Sequence, residues 1–164
     1  MHRALILSLI PLAALHAQKL ADESWIQYVG PSQLASTIVT LDDSAVMTSA
    51  RDELRIRVRT NDGKLPRLAS GIPHENAIVL ATLDKIPRDW GLRANLAPDS
   101  YWLKTVESGG FRYTVITAPN DRGVLYGAFA LLRKMSLGES VFALDEQQSP
   151  AVPVRWVNQW DNLD

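Results

Sequence analysis

Three features of the sequence predict an α/β fold, a mixed β-sheet with helices packed on it. They are a continuous apolar run at 77–83, two strand-like runs joined by a glycine pair at 101–117, and one strongly amphipathic helix at 120–137.

The elements follow in chain order. Residues 36–41 (Ser-Thr-Ile-Val-Thr-Leu) are β-branched and short, and Asp42-Asp43-Ser44 ends them as a turn with a helix N-cap signal. Across 44–59 two patterns compete. Met47, Ala50, Leu54 and Val58 fall at helical spacing, whereas Leu54, Ile56 and Val58 alternate with Arg55, Arg57 and Arg59 as a strand would. The first half reads as helix and its end is left open; the three arginines read as a solvated face. Residues 60–76, rich in Gly, Pro, Asn and Asp, read as a loop. The run 77–83 (Ala-Ile-Val-Leu-Ala-Thr-Leu) suits a central strand buried on both faces. Residues 84–99 are again loop-like, with Pro87 and Pro98. Runs 101–106 and 111–117 form a hairpin, because Gly109-Gly110 supplies the positive φ of a tight turn.

The helix at 120–137 opens on Asn120 or Asp121 as cap and closes at Gly138. Val124, Leu125, Ala128, Leu131, Leu132 and Met135 form its apolar stripe. Gly123 and Gly127 lie on one side of it. A helical glycine costs about 1 kcal/mol relative to alanine, and close approach of the helix to a sheet would be the compensating reason. Asp145-Glu146 reads as a polar connection.

Composition removes several function classes. With 46% hydrophobic and 21% charged residues the chain is an ordinary globular one, and 164 residues favour one domain. Seventeen basic against eighteen acidic residues leave no excess with which to neutralise phosphates, so nucleic acid is not an expected partner. No cysteine is present, which removes disulfides, thiolate metal sites and a cysteine nucleophile. A Walker loop and a strand-linked Gly-x-Gly-x-x-Gly are lacking too, and no cofactor is expected.

The start, Met1-His2-Arg3 followed by an apolar run and Leu15-His16-Ala17, has the layout of a secretory signal peptide over 1–17. The expected location is secreted or periplasmic, with no membrane association after cleavage. Beyond residue 17 one histidine remains, His74, and it reads as a surface-loop residue; no metal site is expected. No catalytic residue is assigned.

At the other end, Trp156, Asn158, Trp160, Asp161, Asn162 and Asp164 crowd into nine residues. Tryptophan faces stack on sugar rings while Asp and Asn bond hydroxyls, so carbohydrate contact is one reading; an exposed tail or an oligomer contact is the other.

Two stretches carry a resemblance. Asn120-Asp-Arg-Gly-Val-Leu-Tyr-Gly-Ala-Phe-Ala-Leu-Leu-Arg133 and Val154-Arg-Trp-Val-Asn-Gln-Trp-Asp-Asn-Leu-Asp164 resemble the N-terminal portion of bacterial α-glucuronidases of glycoside hydrolase family 67. Trp25-Ile-Gln-Tyr28 and the run 77–83 fit as well. The helix alone is also similar to the N-terminal accessory domain of family 20 β-hexosaminidases; the Trp-Asp-Asn-Leu-Asp ending is the more specific part.

The resemblance implies an α/β accessory domain over 18–150 and the start of a (β/α)8 barrel over 151–164. It places Trp160, Asp161 and Asn162 at the first barrel strand, as substrate-binding residues near the sugar pocket. The implied activity is release of 4-O-methylglucuronic acid from glucuronoxylan-derived oligosaccharides, with inversion. The barrel carboxylates are not among these 164 residues, so the chain is expected to be a non-catalytic fragment that associates with a catalytic barrel. Two other readings stand beside it: a stand-alone carbohydrate-binding or scaffolding module, and an accessory domain of a β-hexosaminidase-like enzyme.

Overall fold

The computed structural model of the chain describes residues 35–152. Residues 1–17, expected to be a signal peptide, lie outside the described residues, as do Trp25–Tyr28 and Trp160, Asp161 and Asn162.

A six-stranded mixed sheet organises everything else. Its strands are β1 (Thr37–Thr40), β2 (Arg67–Ala69), β3 (Ala77–Thr82), β4 (Tyr101–Ser108), β5 (Phe111–Ala118) and β6 (Asp145–Gln148), in the order β2-β1-β3-β5-β4-β6. β1 pairs in parallel with β2 and β3, and β3 with β5, while β4 is antiparallel to both β5 and β6. The apolar run forms the central strand: all six residues of β3 are buried, as expected for a strand covered on both faces.

Side-chain alternation divides the core in two. Ile38, Ile78, Leu80, Leu103 and Ile116 face the helices, whereas Val39, Ala77, Val79, Ala81 and Val115 face the opposite side. The helical layer consists of α1 (Ala45–Arg57) and α2 (Asp121–Ser136). Ser44 caps α1 by accepting the Met47 amide at 3.1 Å, and Asn120 caps α2 by accepting the Gly123 amide at 3.0 Å. Met47, Ala50 and Leu54 of α1 and Val124, Ala128, Leu131 and Leu132 of α2 bury the stripes read from the sequence.

The glycine pair of α2 has the reason anticipated for it. A Cβ on Gly127 would stand 2.6 Å from Ile116 Cγ2 and 3.2 Å from Tyr101 Cβ; one on Gly123 would collide with the Ser100 carbonyl oxygen and stand 2.6 Å from Ala118 Cβ. Only a helix without side chains at these two positions can lie so close to β4 and β5.

On the other face the 18 or so residues between β3 and β4 supply the cover, including a short 3-10 turn at Arg88–Trp90. Ile86 and Leu92 are buried there, and Trp90 stacks on Tyr113 at 4.8 Å between ring centroids.

Three readings need correction. The segment 60–76 is not all loop, since Arg67–Ala69 adds an edge strand beside β1. Asp145-Glu146 is no mere connection but opens β6, held to β4 by the Trp102 indole N–H and the Lys104 ammonium, both on the Asp145 carboxylate (2.9 and 2.5 Å). Asp42 does not cap α1; it reaches across to β3 instead. The open end of α1 is settled at Arg57, because Leu54 and Val58 are both fully buried one turn apart and the Val58 amide still bonds the Leu54 carbonyl.

Candidate functional site at the strand-end pole

Because β1, β2, β3 and β5 are parallel, their C-terminal ends lie at one pole of the sheet, where β4 also begins and β6 ends. From β1 the chain crosses to β2 through α1 on the helical face. From β3 it leaves to the other side of the sheet over the opposite face. The connections therefore diverge between β1 and β3. Such a switch point opens a crevice beyond the strand ends, the usual ligand position in open α/β sheets.

The crevice has a volume of about 700 Å³ and is lined by Leu41, Asp42 and Asp43 after β1, Arg51 of α1, Leu68 and Ser70 around the end of β2, and Lys85 after β3. Its floor is held together by Asp42. One carboxylate oxygen accepts from the Thr82 amide at 3.0 Å and from the Thr82 hydroxyl at 3.1 Å, and the Leu41 amide donates to the Leu80 carbonyl at 3.0 Å. Among the described residues the two cations are engaged by sequence neighbours: Arg51 pairs with Asp52 at 2.8 Å, and Lys85 lies 3.9 Å from Asp84. Exposed pairs of this kind contribute little, so both side chains can turn to another anion.

The far end of the same pole is where the chain leaves the sheet. Ser100 Oγ donates to Ser149 Oγ at 2.9 Å, and the Tyr101 hydroxyl bonds the Gln148 side chain. Asp99, at φ 62°, accepts from the Asn120 amide group at 2.8 Å and from Arg122 at 3.1 Å, which ties the entry of β4 to the start of α2. Four strand spacings separate the β1 end from β6, about 20 Å.

Among the described residues no group of three or more His, Cys, Asp or Glu side chains is placed to hold a metal ion. His74 is exposed just before β3, at the opposite pole, with its ring edge-on to Phe111. The residues singled out in the sequence for sugar contact, Trp160, Asp161 and Asn162, lie outside the described residues. Arg51, Ser70 and Lys85 carried no sequence signal of their own. Their shared property, a place just beyond a strand end or facing one, appears only once the strand order is known.

Residues 19–131 match the family described as the glycosyl hydrolase family 67 N-terminus. The chain belongs to that family. This family 67 N-terminal domain is 36% identical over 138 residues, 80% of its length, to a protein of Aspergillus oryzae named "Probable alpha-glucuronidase A", of which it covers 16%. It is 41% identical over 95 residues to the "Alpha-glucuronidase" of Hypocrea jecorina, covering 54% of the chain and 10% of that protein. The chain thus spans about a sixth or less of the length of these relatives. Among solved structures, a family GH115 4-O-methyl-α-glucuronidase with specificity for decorated arabinogalactans superposes with a TM-score of 0.53 at 14% identity, over 77% of this chain and 19% of that one. That likeness is one of fold. The family match runs from before β1 into α2, so it takes in the crevice-lining strands and helix, while β6 lies beyond it.

Proposed function

We propose that the family 67 domain acts as the N-terminal accessory domain of an α-glucuronidase, working with a catalytic barrel that releases 4-O-methylglucuronic acid from glucuronoxylan-derived oligosaccharides. The observation that carries this reading is the family match over 19–131 together with relatives named α-glucuronidase that are several times longer. In this reading the barrel supplies the acid and base of glycoside hydrolysis, which must flank the scissile bond from two sides. The accessory domain supplies a rigid neighbour: a sheet covered on both faces, with its exit pinned at Ser149.

The reading extends to both ends of the chain. Residues 1–17 serve as an export leader, and Trp160, Asp161 and Asn162 contact the sugar from the first barrel strand. A direct test is to incubate the purified 164-residue chain with aldouronic acids and follow uronic acid release. No release above the enzyme-free control is expected. Turnover would overturn the non-catalytic role.

A further inference from the structure

We infer that the crevice at the β1/β3 switch point is a binding site for a hexuronic acid unit, a sugar ring bearing one carboxylate; this rests on the chain being part of a glucuronidase. Two sets of lining groups select that class. Arg51 and Lys85 stand on two different elements, α1 and the segment after β3, and both line the space. Asp42 and Asp43 line the same space as hydrogen-bond acceptors suited to hydroxyl groups, with Ser70 beside them at the end of β2. The carboxylates repel a phosphate or a polyanion, while a neutral sugar would leave the two cations with only their partners Asp52 and Asp84. One negative charge surrounded by hydroxyls satisfies both sets at once.

One wall of the site is preformed. Asp42 is fixed by its two bonds to Thr82, so its position does not have to be organised by the ligand. The cations exchange only weak, exposed pairings with Asp52 and Asp84 for the ligand carboxylate. At about 700 Å³ the space accommodates a monosaccharide with its linkage open to solvent. Among the described residues the lining is polar and charged around Leu41 and Leu68, so charge governs the affinity.

The test uses the whole 164-residue chain, labelled with nitrogen-15, and two probes that differ only in the group at issue: methyl α-D-glucuronide and methyl α-D-glucoside. Saturable shifts of the Asp43, Ser70 and Lys85 amides are expected with the glucuronide, weakening as salt is raised. Binding of the glucoside should be about tenfold weaker or more. Arg51→Gln and Lys85→Gln should each reduce glucuronide affinity while leaving the spectrum otherwise folded. Equal binding of the two probes overturns the inference. So do shifts confined to other parts of the molecule, or undiminished binding in the two variants. None of those outcomes touches activity of the domain joined to a barrel, so a failure here is distinguishable from a failure of the accessory-domain reading.

Discussion

The Asp42 carboxylate takes both the backbone amide and the hydroxyl of Thr82, at 3.0 and 3.1 Å, and so fastens the end of β1 to the end of β3. These are the two strands whose onward connections diverge, where a sheet would otherwise splay. A hydrogen bond to a charged group contributes about 1.5–3 kcal/mol when well sheltered, and Asp42 is half-buried. Asp42→Ala is therefore expected to lower stability by about 1–2 kcal/mol, read from denaturant melts. The Thr82 amide should lose protection from hydrogen exchange in the same variant. A melt and an exchange profile matching the parent chain would show that the bracket contributes nothing.

Gly123→Ala should destabilise, although alanine is the better helix former by about 1 kcal/mol. The new Cβ would drive into the Ser100 carbonyl oxygen, a backbone atom that cannot move without disturbing β4. A net loss of about 1–3 kcal/mol is expected by calorimetry or chemical melt. Gly127→Ala meets the side chains of Ile116 and Tyr101 and should cost less. Unchanged or raised stability in Gly123→Ala would contradict the close contact.

Leu131 is fully buried where α2 meets α1 and the sheet. Truncation to alanine should cost about 2–5 kcal/mol, the range for a leucine lost from a packed core. A loss under about half a kcal/mol would mean that the helix register is wrong.

Attachment of β6 should depend on pH. The Lys104 ammonium, and after it the Trp102 N–H, holds the Asp145 carboxyl below the usual carboxylate range. A group whose pKa is lowered on folding stabilises the fold above its unfolded pKa, about 3.9, and loses that contribution as pH falls through the lower folded value. Hydrogen exchange of the β6 amides should accelerate over that acid range, relative to β3. In Asp145→Asn the acceleration should be absent, with β6 already loosened at neutral pH. An identical pH profile in that variant would remove the carboxylate from the account.

The parts of the fold legible in the sequence are those where burial writes a period into the chain. β3 is apolar at every position because both faces are covered, α2 carries its stripe, and the β4–β5 turn has Gly109 and Gly110 at φ 59° and 82°. β2 and β6 left no such record. Both are short edge strands, and β6 reads Asp-Glu-Gln-Gln, with all four residues exposed. What makes it a strand is the neighbouring backbone of β4 together with the grip of Trp102 and Lys104 on Asp145, none of it visible in a local window. The crevice was illegible for the same reason. Asp42, Arg51, Ser70 and Lys85 are separated in sequence, and only the β2-β1-β3 order brings them to one opening. The family, by contrast, was legible directly: the Asn120–Arg133 helix, specific in identity and not only in polarity, falls almost wholly inside the matched residues 19–131, while the tryptophan-rich ending lies beyond them.

The most direct test of the central claim replaces the N-terminal domain of the Aspergillus oryzae relative with residues 18–150 of this chain, leaving the rest of that protein intact. The 36% identity over 138 residues makes the exchange a demanding one. The expected result is a folded chimera that releases uronic acid from aldouronic acids at a rate within about tenfold of the parent, or about 1.4 kcal/mol in activation free energy. A chimera that is folded by circular dichroism and melts cooperatively, yet releases none, would contradict the account.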